Sequence, residues 1–425
     1  MCEADLLVMN ANQLLCPESD AENGSCLTVI QDGAIACYQG KIVAQGKTKT
    51  VMDTIRLSQG ADVIDAEGKV IAPGFVDAHT HPIFWGTREH EFELRIQGKT
   101  YQEIAKAGGG IRFSVRQLRT ASRDQLIEYI LPYLDQFIQQ GTTTIEAKSG
   151  YGLSLEDELK SLEVIQELNR LHPIELIPTF LGAHEIPDEY RNRRDAYIGL
   201  IIDEMLPRVA ERNLAEFCDV FCEEHVFTVQ ESEKILLAAK QLGLKLKIHA
   251  DQLTASGGAE LAARLQAISA DHLDYVTSEA MELLKAAGTI PVLLPGAVFF
   301  LGLTHYAPAR QMITAGLPVA LATDFNPGTC MTQSMPLIMT LGCTYLKMTP
   351  AEVWLATTQH AAQAVARSDQ IGSLRVGAQA DFVIWDIPNY RYLPYHFGVN
   401  LVHQVYKKGR LIWQNNSHQM IRGNV

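Results

Sequence analysis

Cysteine is sparse and unpatterned in this chain. Eight occur in 425 residues, at positions 2, 16, 26, 37, 218, 222, 330 and 343, with no framework of short regular spacings. They read as reduced thiols in a cytoplasmic protein rather than as disulfide staples. Cys218 and Cys222 lie in an apolar stretch, 217–221, with no second pair nearby, so they read as structural and not as zinc ligands. Long apolar runs are missing too. Nowhere do about 18 apolar residues follow one another, so no membrane-spanning helix is expected. Met1 to Asp5 holds no basic residue and leads into no secretory apolar segment. Positive charge is in deficit, with 36 Lys and Arg against 49 Asp and Glu, a net charge of −13. That balance excludes a protein that grips nucleic acid or acidic membrane through a basic face. Repeats and low-complexity tracts are absent.

What is present is a large apolar store, 47% of the chain, with 20% charged residues. This excludes disorder, collagen and a coiled coil. A length of 425 suits two or three domains of about 150 residues. It equally suits one α/β barrel of ~250 residues with attachments. Residues 1–70 read as short strands around the turn Gln39-Gly40. From residue 71 the rhythm changes. Eight short apolar runs (74–78, 142–146, 174–179, 218–221, 244–248, 267–270, 290–294 and 319–322) alternate with helical patterns at 124–140, 156–171, 197–212, 231–242 and 278–287. Alternation implies a parallel sheet, and eight units imply a closed (β/α)8 TIM-like barrel over 71–366. Residues 351–366 read as one further helix. Residues 367–425 return to strands, ending in a hairpin at 403–413. Too few to bury a face alone, they are expected to join the N-terminal strands in one small β-sandwich domain built from both chain ends.

Barrel enzymes place their chemistry at the C-terminal ends of the strands. There the sequence carries Asp77-Ala-His79-Thr-His81, His249-Ala-Asp-Gln252, Asp271-His272 and Asp324-Phe-Asn326. His79 and His81 are two apart at a strand end, so both imidazoles face one side. Each residue alone has an ordinary reading, as a bonded core histidine or a turn residue. Together, His or Asp at the ends of strands 1, 5, 6 and 8 supplies imidazole nitrogens and one carboxylate. That set suits one divalent ion, zinc or iron.

This pattern resembles the amidohydrolase superfamily of metal-dependent barrel hydrolases. Its binuclear members carry a modified lysine at the end of strand 4. Counted along the motifs, strand 4 is expected to end at Phe180-Leu-Gly-Ala-His184, without lysine, and Lys148 to follow strand 3. A mononuclear site is therefore expected. Further stretches are similar to the imidazolonepropionase family over nearly the whole chain: Trp85-Gly-Thr-Arg88, Gly108-Gly-Gly-Ile111, Thr144-Ile-Glu-Ala-Lys-Ser-Gly-Tyr151, 180–184, 249–252 and 323–329. The resemblance implies hydrolytic ring opening of 4-imidazolone-5-propanoate to N-formimidoyl-L-glutamate in histidine degradation. It also implies one metal ion per subunit, held by His79, His81, His249 and Asp324, and a homodimer.

Arg88 can hold the propionate carboxylate in a bidentate fork, or form a surface ion pair with Glu89 or Glu91. Tyr151 can bond the carboxylate or a ring nitrogen, and His184 can donate to the substrate. Tyr101 is a further contact or a packing residue of its loop. Asp324, as ligand and partner of the water, can take the proton and pass it to the leaving nitrogen. His272 can stabilise the oxyanion or act as a loose fourth ligand. Some family members carry Glu where Gln252 stands. An amide accepts no proton, so Gln252 is read as a ring contact. Asn326, Gly328 and Thr329 form a substrate loop or a plain tight turn. Gly108–Gly110 is not followed by Gly-Lys-Ser/Thr, so it is read as a flap over the site and not as a phosphate loop. His305, His360 and His396 read as structural. Two rival functions stand beside this one. Another cyclic amidohydrolase or a nucleobase deaminase of the superfamily would need an acidic Glu near His249. A non-catalytic scaffold of the fold would have lost ligands, and none of the four is missing.

Overall fold

The structure, a computed structural model, describes residues 1–20, 24–99, 103–104 and 107–415. Tyr101 lies outside them. The N-terminal segment gives β1 (Cys2–Asp20), β2 (Gly24–Tyr38), β3 (Lys41–Lys47), β4 (Ile55–Asp65) and β5 (Val70–Pro73). The barrel strands follow as β6 (Phe75–Asp77), β7 (Thr142–Lys148), β8 (Glu175–Ala183), β9 (Phe217–Cys222), β10 (Lys245–Ala250), β11 (Ser269–His272), β12 (Ile290–Leu293) and β13 (Ala320–Leu321). The C-terminal part adds β14 (Phe382–Trp385), β15 (Val402–Lys407) and β16 (Arg410–Gln414).

Two eight-stranded sheets result. One runs β16-β15-β14-β5-β1-β2-β3, with β4 also on β1, and so joins both chain ends. The other runs β6 to β13 in chain order, every neighbouring pair parallel. Its seam closes at the C-terminal ends, where Asp324 N donates to His79 O (3.1 Å) and His81 N to Phe325 O (2.8 Å). β1 is far longer than its apolar run, 4–9, suggests. Its outer half pairs in register with β2 from Gln13↔Gln31 to Asp20↔Gly24, starts beside β5 at Gln13 and Leu14, and buries Leu14, Leu15 and Cys16.

Helices cover the barrel where the 3.6-residue pattern puts them, for example Arg123–Gln139, Leu155–Leu171 and Ser278–Ala287. Serine or threonine N-caps start each of these: Ser122, Ser154 and Thr277 accept from the third backbone amide of their helices. The single helix expected at 351–366 is instead two, Pro350–Ala356 and Gln359–Ala364. Thr357 and Thr358 break it: their hydroxyls bond back to Val353 and Trp354 carbonyls, and Thr358 leaves helical geometry. The main core packs barrel strands against these helices, and Phe75, Trp354 and Trp385 join the two sheets through ring contacts of 5.2–5.9 Å.

The strand count corrects one expectation. β7 is the second barrel strand and β8 the third, so Lys148 ends strand 2 and His184 follows strand 3. The fourth strand is β9, which ends in Cys222 and leads to Glu223. It too lacks a lysine.

Candidate active site

At the C-terminal ends of the barrel strands four side chains converge. His79 Nε2 and His81 Nε2 lie 3.2 Å apart, and His249 Nε2 lies 3.3 Å from His81 Nε2. Asp324 Oδ1 stands 3.5 Å from His79 Nε2 and 3.6 Å from His81 Nε2. All four residues are buried. Donors about 2.1 Å from a tetrahedral ion are about 3.4 Å from one another, and the four observed edges bracket that value. His79, His81 and Asp324 together fit a divalent metal, and His249 adjoins them through His81 Nε2 and groups with His79 and His272.

The chemistry of each donor supports the fit. His79 Nδ1 donates to Asp271 Oδ2 at 2.6 Å, which fixes its tautomer and leaves the Nε2 lone pair facing the cluster. His249 Nδ1 lies 2.9 Å from Asp219 Oδ2. Burial holds His79 and His81 well below the usual histidine pKa, so both stay in the neutral, ligating form. Burial also lifts the Asp324 carboxyl to about 8. Its ionised form needs a cation beside it. The Asp324 backbone sits at φ +54° and that of His272 at φ +76°, left-handed conformations that cost non-glycine residues about 1–3 kcal/mol. Both are held where the strands end and the site begins.

Around this cluster the structure brings together most of the expected site residues. His272 stands beside it, its ring 5.4 Å from those of both His79 and His249. His184 stacks on His81 at 5.1 Å, and Tyr151 lies 5.4 Å from His184. His184 Nδ1 donates to Gly150 O at 2.9 Å, and burial pushes its pKa down to about 3. The neutral ring thus turns an accepting Nε2 outward. The expected donation to substrate is reversed by this tautomer. Gln252, after β10, instead lines a pocket of about 230 Å³ with Leu253, Asp274, Tyr275 and His305, to which none of the four cluster residues contributes.

Arg88 is buried, not a surface residue, and donates from Nη2 to Glu91 Oε2 at 2.7 Å. Glu91 Oε1 accepts from Gly110 N at 2.8 Å, tying the glycine loop to the same carboxylate. The Arg88 guanidinium reaches across to the loop after β13, where a Cβ on Gly328 would fall 2.2 Å from Nη1. That loop is braced by Asn326. Its Oδ1 accepts from Gly328 N (2.8 Å) and Thr329 N (2.7 Å), and its Nδ2 donates to Asp324 O (2.7 Å). Thr329 Oγ1 donates to Asp324 Oδ2 at 3.3 Å.

Sequence reasoning missed the layer beneath: Glu146, Lys148, Asp219, Lys247 and Asp271, all fully buried. The signal was there in alternation. Glu146 and Lys148, Lys247 and His249, and Ser269 and Asp271 are each two apart on parallel strands, and so share the inner face.

A closed parallel barrel, a second sheet made of the chain ends and a histidine–carboxylate cluster at the strand ends together define an amidohydrolase. The amidohydrolase family model matches residues 70–412. Solved structures share the fold: a 5-methylcytosine deaminase from Klebsiella pneumoniae (TM-score 0.74, 17% identity, 97% of this chain and 99% of that one) and an adenosine deaminase from Xanthomonas campestris with bound zinc (TM-score 0.68, 19% identity, 96% and 93%). Curated relatives are much nearer in sequence. The imidazolonepropionase of Alkaliphilus metalliredigens is 50% identical over 384 residues, 90% of this chain and 91% of the relative. That of Symbiobacterium thermophilum is 49% identical over 416 residues, 97% and 98%. The chain belongs to the imidazolonepropionase family and is a hydrolase.

Proposed function

We propose that this enzyme hydrolyses 4-imidazolone-5-propanoate to N-formimidoyl-L-glutamate, a step of histidine degradation. Identity of 49–50% along nearly the whole chain to imidazolonepropionases carries the reading, and the convergent donor set supports it. His79, His81, His249 and Asp324 would hold one zinc or iron ion. Such an ion supplies a Lewis acid for the ring carbonyl and makes water more acidic.

The chain's own groups do the rest. Arg88 binds the propionate carboxylate, with Glu91 holding its fork and Gly328 leaving room for it. Tyr151 and Thr329 extend that binding, with Asn326 and Gly328 shaping the loop. His184 Nε2 accepts from a ring N–H, and Gln252 bonds the ring from the β10 side. Tyr101, outside the described residues, is proposed as a further substrate contact. Asp324 takes the proton from the attacking water at Oδ2, the oxygen that faces Thr329, and delivers it to the leaving ring nitrogen. His272 donates to the developing oxyanion.

We place the domain boundaries near residues 70 and 366, and the enzyme in the cytoplasm. Eight unpaired cysteines fit a reducing compartment, and among the described residues no helix is long and apolar enough to cross a membrane. The net charge of −13 argues against nucleic-acid binding. Two copies are expected to pair, and the exposed Tyr395, Phe397 and Val399 offer an apolar patch for it.

The test is direct. Purified protein is given fresh imidazolone propionate, and loss of the ring chromophore is followed with and without a chelator. Fast, chelator-sensitive loss is expected. No turnover in metal-loaded protein would move the substrate to another cyclic amide or amidine.

A further inference from the structure

One ammonium group lies beneath two of the proposed metal-binding histidines. Lys148 Nζ donates to Asp219 Oδ2 at 2.7 Å and to Glu146 Oε1 at 2.7 Å, and stands 3.8 Å from Asp271 Oδ2. None of these four side chains is exposed. The oxygens it touches are the ones the imidazoles use. Asp219 Oδ2 is the atom 2.9 Å from His249 Nδ1, and Asp271 Oδ2 is the atom bonded to His79 Nδ1. Each carboxylate has one further anchor, His249 N on Asp219 Oδ1 (3.2 Å) and Ser269 Oγ on Asp271 Oδ1 (2.6 Å). Lys247 shares two of these carboxylates. Its Nζ donates to Ala78 O at 2.9 Å and lies 3.5 Å from Glu146 Oε1 and 3.9 Å from Asp271 Oδ2.

We infer that Lys148 is a positioning residue for the metal centre: it hydrogen-bonds the Asp219 carboxylate and, together with Lys247, flanks that of Asp271, and so fixes the two carboxylates that lie against His249 Nδ1 and His79 Nδ1. The chemistry requires such a group. A carboxylate orients an imidazole only if its own rotamer is fixed. Two carboxylates buried side by side repel each other and, without a cation between them, would rotate apart. An Asp271 carboxylate turned away would no longer hold His79 Nδ1 as a donor with Nε2 free to ligate. Lysine suits the place. Two of its N–H groups reach oxygens on β7 and β9, and its charge lies 3.8 Å from a third oxygen on β11, where a planar guanidinium would favour two coplanar ones. With two lysines against three carboxylates the layer keeps a net negative charge behind the imidazoles, which raises their basicity as ligands.

This inference rests on the four-ligand reading above. The test compares chelator-stripped wild type with K148M, K148Q, K148R and H249A. Zinc affinity is measured by competition with a chromogenic chelator. The visible spectrum of the cobalt-loaded protein reports ligand geometry. Circular dichroism and Tm report the fold. K148M and K148Q are expected to fold, to bind zinc about 10–100-fold more weakly, and to show an altered cobalt spectrum. K148R, which restores the cation, should recover part of both. H249A should bind almost no metal. Wild-type affinity and spectrum in a folded neutral variant would overturn the inference, provided H249A has lost its metal. If neither neutral variant folds, Lys148 is a folding residue and the positioning role is likewise refuted. If H249A keeps its metal, the ligand reading itself fails.

Discussion

Gly328→Ala is the smallest change expected to disable this enzyme. A Cβ there would sit 2.2 Å from Arg88 Nη1 and 2.7 Å from its Cζ. Ordinary contact needs about 3.5 Å, so the guanidinium must retreat by about 1 Å. It has little freedom to do so, being buried and bonded to Glu91 at 2.7 Å. The backbone of Gly328 is not left-handed, so the methyl acts through Arg88 alone. A displacement of about 1 Å in a group that positions substrate costs on the order of 100-fold in rate, while overpacking at one site costs about 1–3 kcal/mol of stability. Steady-state kinetics on the propionate substrate, beside an analogue whose carboxylate is replaced by an amide, would check this. The variant should lose about 100-fold in kcat/KM on the acid and far less on the amide. Undiminished kcat/KM on the acid in a folded G328A protein would show that Arg88 does not hold the carboxylate.

Other outcomes follow from the same site and core. Arg88→Met should raise KM by about 30- to 1000-fold, because breaking a desolvated charge pair costs about 2–4 kcal/mol; an unchanged KM would return Arg88 to a purely structural role. Removing metal with a chelator should abolish turnover and leave the far-UV spectrum intact, since the main apolar core packs the barrel strands against the helices around them; unfolding on chelation would refute that independence. His360 donates from Nδ1 to Val319 O at 2.9 Å, and burial lowers its pKa to about 4. Above pH 6.5 both the folded and the unfolded chain hold it neutral. Between 6.5 and about 4 only the unfolded chain takes the proton, so stability falls with pH by up to about 1.4 kcal/mol per unit, about 3 kcal/mol in all. His360→Gln should flatten the dependence of Tm on pH between 7 and 5, and an unaltered slope would show that His360 does not contribute.

How much could be read beforehand depended on how local the signal was. His79 and His81 share a strand end, and His249, His272 and Asp324 each follow an apolar run, so strand periodicity alone put all five at one end of a barrel. The helix at Ser278–Ala287 was legible because its cap and apolar stripe agree. The tautomer of His184 was not, because it is set by the Gly150 carbonyl on another loop. Nor was the burial of Arg88, which depends on a missing Cβ at Gly328, 240 residues away in the chain. The split helix at 350–364 turned on two threonine hydroxyls competing for backbone carbonyls. Glu146, Lys148, Asp219 and Asp271 looked like isolated charges in apolar runs, and only the order of the strands makes them one cluster.

The same strand order explains why the second sheet matters to the site. Thr144, Glu146 and Lys148 form one inward-facing column on β7. At its foot, Lys407 of β15 reaches into the barrel, with Nζ 3.2 Å from Thr144 Oγ1, 2.8 Å from Asp381 Oδ2 and 3.0 Å from Glu175 Oε2. Above it Lys247 and Glu146 pair, then Lys148 with Asp219 and Asp271, then the imidazoles. Barrels of this kind ordinarily fill the interior with layers of branched apolar side chains. Here charged pairs line the interior instead: Lys407 with Asp381 and Glu175, Lys247 with Glu146, and Lys148 with Glu146 and Asp219. A polar core of this sort is stable only when every group is satisfied. The β15 strand therefore supplies the lowest cation of the column that ends at His79 and His249.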